Sequence, residues 1–417
     1  MDFDFIAHLS KLLSIPPSQI TIQVLVGGGM INAAVRASFT PPVDLTQFGH
    51  PQSVQSVVLK YAPPYMVREP RLPIATVRQD VEARALVLLD PNSKSALPVS
   101  SLFAKHPNIR TPRLIHHDCK ERVLIMTDLG SSVVTIDDWL TQEPAPLPED
   151  VERIAKDLGC FLGEFVIATK NPSVELLSHF QLPSNSDLIH QLEGYSLKNA
   201  KAVLRDVPDS DVLIKRVEDA MRDFKKINSC LGMADLWRGN IVIDSDKNIC
   251  LLDWEMFGWS SASWEMSQLG VFFSFLFFFF RSILIHFSPT VQSMHWIFLK
   301  SGYSDAAKNR TDAFISTMLQ SYSQARADVP SLDFKRQALI FYSRLTFNVL
   351  GWFADKIDDT MKERALELAL IYLRAAGTSV DTMDVSIFDS ETPSAAPYER
   401  LFEKARAILA ARRPDQS

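Results

Sequence analysis

Residues 233–255 read MADLWRGNIVIDSDKNICLLDWE, and this stretch decides how the rest of the chain is read. Asp235 is followed, after four intervening residues, by Asn240, and the apolar run ending in Leu252 delivers Asp253. Two short strands, 240–244 and 249–253, flank Ser245-Asp246-Lys247-Asn248, a run of residue types that favours chain reversal. The stretch is thus a loop and a short hairpin that carry two carboxylates and an amide. Such a set suits a divalent cation with phosphate groups. Mg²⁺ wants oxygen ligands and keeps several waters, so one carboxylate and one amide suffice from the protein. Phosphoryl transfer then needs a further carboxylate to orient an attacking hydroxyl and accept its proton.

Upstream, a short helix over 3–14 is followed by Ile20, Ile22, Val24 and Val26, which alternate with polar residues as in a half-buried strand. Gly27, Gly28 and Gly29 follow, and then Val35, Ala37 and Phe39 alternate again, so the two runs form a hairpin. The strand Val54–Tyr61 carries Lys60 inside VVLKYA. A lysine on an apolar strand must be paired, because an isolated buried charge is very costly. Glu82, on the helix expected over 76–89, would be its partner; the alternative is a snorkelling lysine and a solvated glutamate. That helix sets Val77, Val81, Ala85 and Leu88 on one face. A last short strand, Val123–Met126, runs into Thr127-Asp128-Leu129-Gly130.

Beyond the proline-rich stretch 144–148 the texture turns helical, with Val151, Ile154, Ala155, Leu158, Phe161, Leu162 and Phe165 on one stripe. Helices return over about 310–376 and 397–412, with a surface loop at 377–396. The expected class is α+β, with two lobes meeting near residue 130. Residues 1–130 make a small β-rich lobe, and 131–417 a larger α-helical lobe. One segment does not fit: GVFFSFLFFFFRSILIHF, 270–287, is almost wholly apolar apart from Arg281. Three readings compete for it: a buried helix, a membrane anchor, and translated intron sequence. Arg281 argues against a bilayer, where a mid-membrane charge is costly.

Composition excludes other classes. Lys and Arg number 43 against 49 Asp and Glu, a net charge of −6, which gives no basic surface for nucleic acid. The four cysteines, Cys119, Cys160, Cys230 and Cys250, form no CxxC pair, so reduced thiols in a cytoplasmic protein are expected. His116-His117 has no acidic or Cys ligands at metal spacing and reads as surface loop. GWSSAS lacks the G-x-S-x-G elbow of a serine hydrolase.

The pattern of Asp235, Asn240 and Asp253 resembles the catalytic loop and metal site of protein kinases. It resembles more closely the aminoglycoside phosphotransferase and choline kinase family, whose loop commonly reads HGDxxxxN and whose later metal site reads IDWE. That resemblance implies a bilobal protein-kinase-like fold. Its activity would be ATP-dependent phosphotransfer to a hydroxyl of a small-molecule acceptor. Asp235 would be the catalytic base, and Asn240 and Asp253 would be the Mg²⁺ ligands. Lys60 would grip the ATP phosphates with Glu82 as its ion-pair partner. Gly27, Gly28 and Gly29 would close over the phosphates. Backbone groups around Met126 and Asp128 would bind adenine, and Glu265 would support the loop. Two departures stand out: Met233 replaces the family's histidine, and Ala234 its glycine. No APE motif follows, which removes a protein-substrate platform. The run LKYAPPYMVREPRL, 59–72, is similar to methylthioribose kinases, so a sugar kinase is an alternative, as is a nucleotide-binding pseudokinase acting by protein contact. Trp237, Trp254, Trp259 and Trp264 either box a cationic acceptor or pack in the core.

Overall fold

The computed structural model describes residues 3–25, 31–50, 53–92, 98–170, 186–224, 230–260, 304–326, 332–352 and 359–384. Gly27, Gly28, Gly29, Trp264, Glu265, the segment 270–287 and the helix expected over 397–412 lie outside them. The chain divides into two compact units. The first comprises Met1–Val134, Ser173–Gln191 and Gly239–Gly258, and the second comprises Thr135–Pro172, Leu192–Arg238 and Trp259–Ser417.

The first unit opens with helix α1 (Phe5–Leu13), started by Asp4, whose carboxylate accepts from the Ala7 N–H at 2.9 Å. Strands β1 (Ile20–Val24), β2 (Ala33–Asp44) and β3 (Ser53–Tyr61) follow. After the small hairpin β4 (Tyr65–Met66) and β5 (Glu69–Pro73) come helix α2 (Arg78–Leu89), α3 (Pro98–Lys105) and β6 (Ile109–Arg110). Strands β7 (Leu114–Asp118) and β8 (Val123–Thr127) complete an antiparallel sheet of order β1-β2-β3-β8-β7. The alternation visible in the sequence becomes the two faces of this sheet. Val35, Ala37, Phe39, Val57 and Leu59 point into a core closed by Phe5 and Leu9 of α1. Lys60 falls on the opposite face by the period of two. Helix α2 was expected to bury one stripe, yet Arg78, Gln79 and Glu82 are buried along with Val81, Ala85 and Leu88. Its polar residues are inside because they have ionic and hydrogen-bonding partners there.

One expectation for this region is corrected. His116 and His117 lie on β7, not in a surface loop, because LIHHD pairs with β8 as regular strand. His116 packs its ring 4.9 Å from that of Phe48, and His117 Nε2 sits 3.5 Å from Asp80 Oδ1. Burial lowers the pKa of both imidazoles.

The hairpin β11 (Ile241–Ile243) and β12 (Ile249–Leu251) also belongs to the first unit, and β12 pairs parallel to β6 through Ile249 and Ile109. Its turn is tied by Asp244. The carboxylate accepts from the N–H groups of Asp246 and Asn248 at 2.9 and 2.8 Å and from the Asn248 side chain.

The short strand β9 (Val134–Thr135) follows β8 in the chain, and in the second unit α4 (Ile136–Thr141) precedes α5 (Pro148–Thr169). Next come α6 (Ser186–Val203, from Leu192 onward in this unit), α7 (Ser210–Phe224) and strand β10 (Cys230–Gly232). The long helices α8 (Asp305–Arg326), α9 (Leu332–Trp352) and α10 (Asp359–Ala375) account for the helical run expected over 310–376. Helix α5 packs closely on α8 because Gly159 and Gly163 present bare backbone. A Cβ on Gly159 would lie 2.0 Å from the Met318 carbonyl oxygen, and one on Gly163 would lie 2.7 Å from that of Tyr322. An antiparallel sheet followed by a helical remainder is the α+β class read from the sequence. No helix among the described residues is long and apolar enough to cross a membrane.

Candidate active site

The site is built around Lys60. Strand β3 carries it onto the sheet face away from the α1 core, and α2 brings Glu82 to 2.5 Å from its Nζ. The segment after β12 adds Asp253, which accepts a hydrogen bond from Lys60, and Glu255, whose carboxylate lies 3.7 Å from the same nitrogen. Glu82 and Glu255 are buried, while the Asp253 side chain keeps 21% of its surface open. All four groups belong to the first unit.

Electrostatics here is a contest between burial and pairing. Burial alone would lower the Lys60 pKa, but Asp253, Glu82 and Glu255 outweigh it and raise it, so the ammonium is held charged. Glu82 is pushed upward by its own burial and by the neighbouring carboxylates, against the pull of Lys60. Glu255 is raised for the same reasons, chiefly burial. One oxygen of each of the three carboxylates lies within 4.8 Å of the others. Three carboxylates against Lys60 and Arg78 leave an excess of negative charge when all are ionised. That excess, with hard oxygen donors, fits a divalent cation.

Three buried groups in this cluster were not anticipated. Arg78 is fully buried, and its Nε donates to Asn32 Oδ1 at 2.9 Å. Asn32 Nδ2 in turn donates to Glu255. Gln79 donates to the Lys60 carbonyl at 2.9 Å, holding α2 to β3. Glu255 lies in the LLDWE run already singled out, so its proximity to Asp253 was a usable signal. Nothing local distinguishes Arg78 from a surface arginine.

Asn240 and Asp253 sit at the same end of the β11–β12 hairpin, where the Leu252 N–H donates to the Asn240 carbonyl at 2.8 Å. Asn240 is buried. Both Asp253 (φ 68°) and Ala234 (φ 55°) have left-handed backbone. At Ala234 this explains why glycine would suit the position. Asp235 belongs to the second unit, in the loop after β10, where its carbonyl accepts from the Trp237 N–H at 3.1 Å. Met233 and Leu236 are buried on either side and anchor the loop by packing. Thr169, ending α5, donates to the Leu231 carbonyl at 3.3 Å and holds β10.

Met126 is buried in β8 between β3 and β7. Asp128, just beyond it, accepts from Arg36 at 2.7 and 3.0 Å and from Ser56 at 2.7 Å. These partners outweigh the opposing effect of burial and hold its carboxyl below the usual range. Trp254 is 2% exposed and packs edge-on against Phe257, whereas Trp237 is 40% exposed.

No family model matches the chain. Over 273 residues, 63% of this chain and 69% of the relative, it is 26% identical to 4-hydroxytryptamine kinase of Psilocybe cyanescens. It is 27% identical over 277 residues to the enzyme of that name in Psilocybe cubensis, with the same coverage. This chain is a small-molecule kinase. Solved structures similar to the kinase include a choline kinase from Cryptosporidium parvum (12% identity, 97% of this chain and 96% of the other, TM-score 0.44). An ADP-bound aminoglycoside phosphotransferase is also similar (12% identity, 93% and 99%, TM-score 0.42). That assignment rests on the sequence relatives.

Proposed function

We propose that the protein transfers the γ-phosphate of ATP to a hydroxyl of a small molecule, with Asp235 as base and Mg²⁺ held by Asn240 and Asp253. The observation that carries this reading is the buried Lys60–Glu82 pair facing Asp253 at the exit of the β11–β12 hairpin. A charged lysine with its own carboxylate partner and a more open carboxylate beside it suits a metal-bound polyphosphate. When bound, the metal would neutralise phosphate charge. Lys60 would bind the phosphates, Glu82 would orient Lys60, and Gly27, Gly28 and Gly29 would cover the phosphates. Backbone groups around Met126 and Asp128 would receive adenine. In functional terms 1–130 is the nucleotide-binding lobe, and 131–417 supplies the base and the acceptor site. Asp235 would accept the proton from the acceptor hydroxyl, which then attacks.

The acceptor class follows from the relatives and from Trp237. An exposed tryptophan two residues from the base offers a face for an aromatic or cationic acceptor. A hydroxylated arylalkylamine is therefore the first acceptor to test, followed by amino alcohols, aminoglycosides and pentoses. The test is a pooled screen with Mg-ATP read by mass shift, run beside Asp235→Asn. Transfer by the wild type is expected, with turnover in the variant reduced by about a thousandfold or more and nucleotide binding retained. Near wild-type turnover in Asp235→Asn would remove Asp235 from the mechanism. A wild type that binds Mg-ATP and phosphorylates nothing would favour the pseudokinase reading.

A further inference from the structure

Asn32, at the entry to β2, has its amide buried between two charged groups. A guanidinium only donates, so the atom facing Arg78 Nε must be the carbonyl oxygen Oδ1. That leaves Nδ2 to donate to Glu255 Oε2. An amide of this length can both accept from a cation and donate to a carboxylate. Aspartate has the same shape and lacks the donor.

Arg78 fixes that orientation. Its two terminal nitrogens donate to the Pro63 carbonyl at 2.8 Å and the Ala75 carbonyl at 2.5 Å, pinning both ends of the β4–β5 hairpin. Glu255 is 3.8 Å from Arg78 Nε, so Asn32 is the hydrogen-bonded link between them. Glu255 lies two residues beyond Asp253, whose left-handed backbone needs its surroundings to hold it. Asn32, Arg78 and Glu255 all belong to the first unit, with Asp253 and Lys60.

We infer that Asn32 is a positioning residue: its amide, oriented by Arg78, holds Glu255 and so sets Asp253 for the metal–nucleotide. This rests on the nucleotide-binding reading above. The effect passes through the metal carboxylate, so it is larger for Mg-ATP than for ATP alone. A purely structural residue would affect both ligands alike or act through folding.

The test uses the full chain with two variants of matched size. Asn32→Asp keeps the acceptor for Arg78 but loses the donor and sets carboxylate against carboxylate. Asn32→Leu removes both interactions. Binding of Mg-ATP and of metal-free ATP is measured by calorimetric titration, with unfolding midpoints in parallel. Both variants should fold, with midpoints lowered by the loss of buried hydrogen bonds. Mg-ATP affinity should fall about ten- to a hundredfold, the loss of a hydrogen bond to a charged group, while metal-free ATP binding stays near wild type. Equal losses for the two ligands, or wild-type Mg-ATP affinity in both variants, would overturn the inference. Failure of both variants to fold would make Asn32 a stability residue and overturn it as well. A wild type that binds neither ligand would sink the nucleotide reading itself, and this inference with it.

Discussion

Lys60 separates two kinds of loss that a single activity assay would merge. Its ammonium neutralises buried Glu82 and Glu255, so Lys60→Ala would strand carboxylates out of water. Removing one partner of a buried ionic cluster costs about 3–5 kcal/mol, so this variant should be markedly less stable by denaturant titration as well as weak for ATP. Asp253 is more open, and its removal takes away the proposed metal ligand while leaving Lys60 with Glu82. Asp253→Ala should therefore leave the unfolding midpoint nearly unchanged and weaken Mg-ATP more than metal-free ATP. Equal weakening of the two would contradict a metal role for Asp253. Ala234 gives an opposite case. At φ 55° an alanine is strained by roughly 1 kcal/mol. Glycine removes that strain but gives up some entropy in the unfolded chain. Ala234→Gly should thus be neutral or slightly stabilising, unlike the usual loss of 0.5–1 kcal/mol for this change inside regular structure. A clear destabilisation in urea would mean that the left-handed backbone is not what selects the residue there.

Elements with a strong local period were legible. The apolar runs in 20–26, 35–39 and 54–61 predicted strands, and these pair in one sheet because the same residues also supply its core. The Lys60–Glu82 pairing could be read because a charge on an apolar strand demands a partner and the next helix offered a glutamate. What could not be read depends on distant pairing. The parallel bridge of Ile249 to Ile109 joins the β11–β12 hairpin to the first unit across more than a hundred residues, and no local pattern announces it. Asn32 and Arg78 were invisible for the same reason, since burial all around α2 comes from tertiary partners and not from its own period. Gly159 and Gly163 show how a packing signal hides inside a helical stripe, where glycine looks merely unfavourable. With the Met318 carbonyl 2.0 Å from the place a Cβ would occupy, Gly159→Ala must push α5 and α8 apart. The overpacking cost is about 1–3 kcal/mol or more, despite alanine's better helix propensity. Chemical denaturation of the two proteins measures this directly, and a stabilised Gly159→Ala would show that the helices do not meet at this point.

At the scale of the whole molecule, buried ionisable groups whose pKa values shift on folding make stability depend on pH. The Lys60 cluster shields its carboxylates with cations, but among the described residues Asp312 on α8 has no such help. Its Oδ1 is out of solvent and has no hydrogen-bond partner among the described residues. Burial raises its pKa from 3.8 to about 6. A carboxyl whose folded-state pKa lies above the unfolded value binds its proton more tightly when folded. Its contribution to stability is therefore fully present below pH 3.8 and is lost as the pH rises through about 6. Ionised Asp312 then sits at neutral pH in surroundings that suit the acid form. Asp312→Asn mimics that form in shape and polarity and does not titrate. The variant should match wild type near pH 4 and exceed it by about 1–2 kcal/mol at pH 7, a figure discounted from the full shift for partial exposure. The gap should open between those limits and level off above pH 7. Unfolding free energies of both proteins at half-unit pH intervals trace that curve, and a difference that stays constant from pH 4 to 8 would show that Asp312 does not carry the titration.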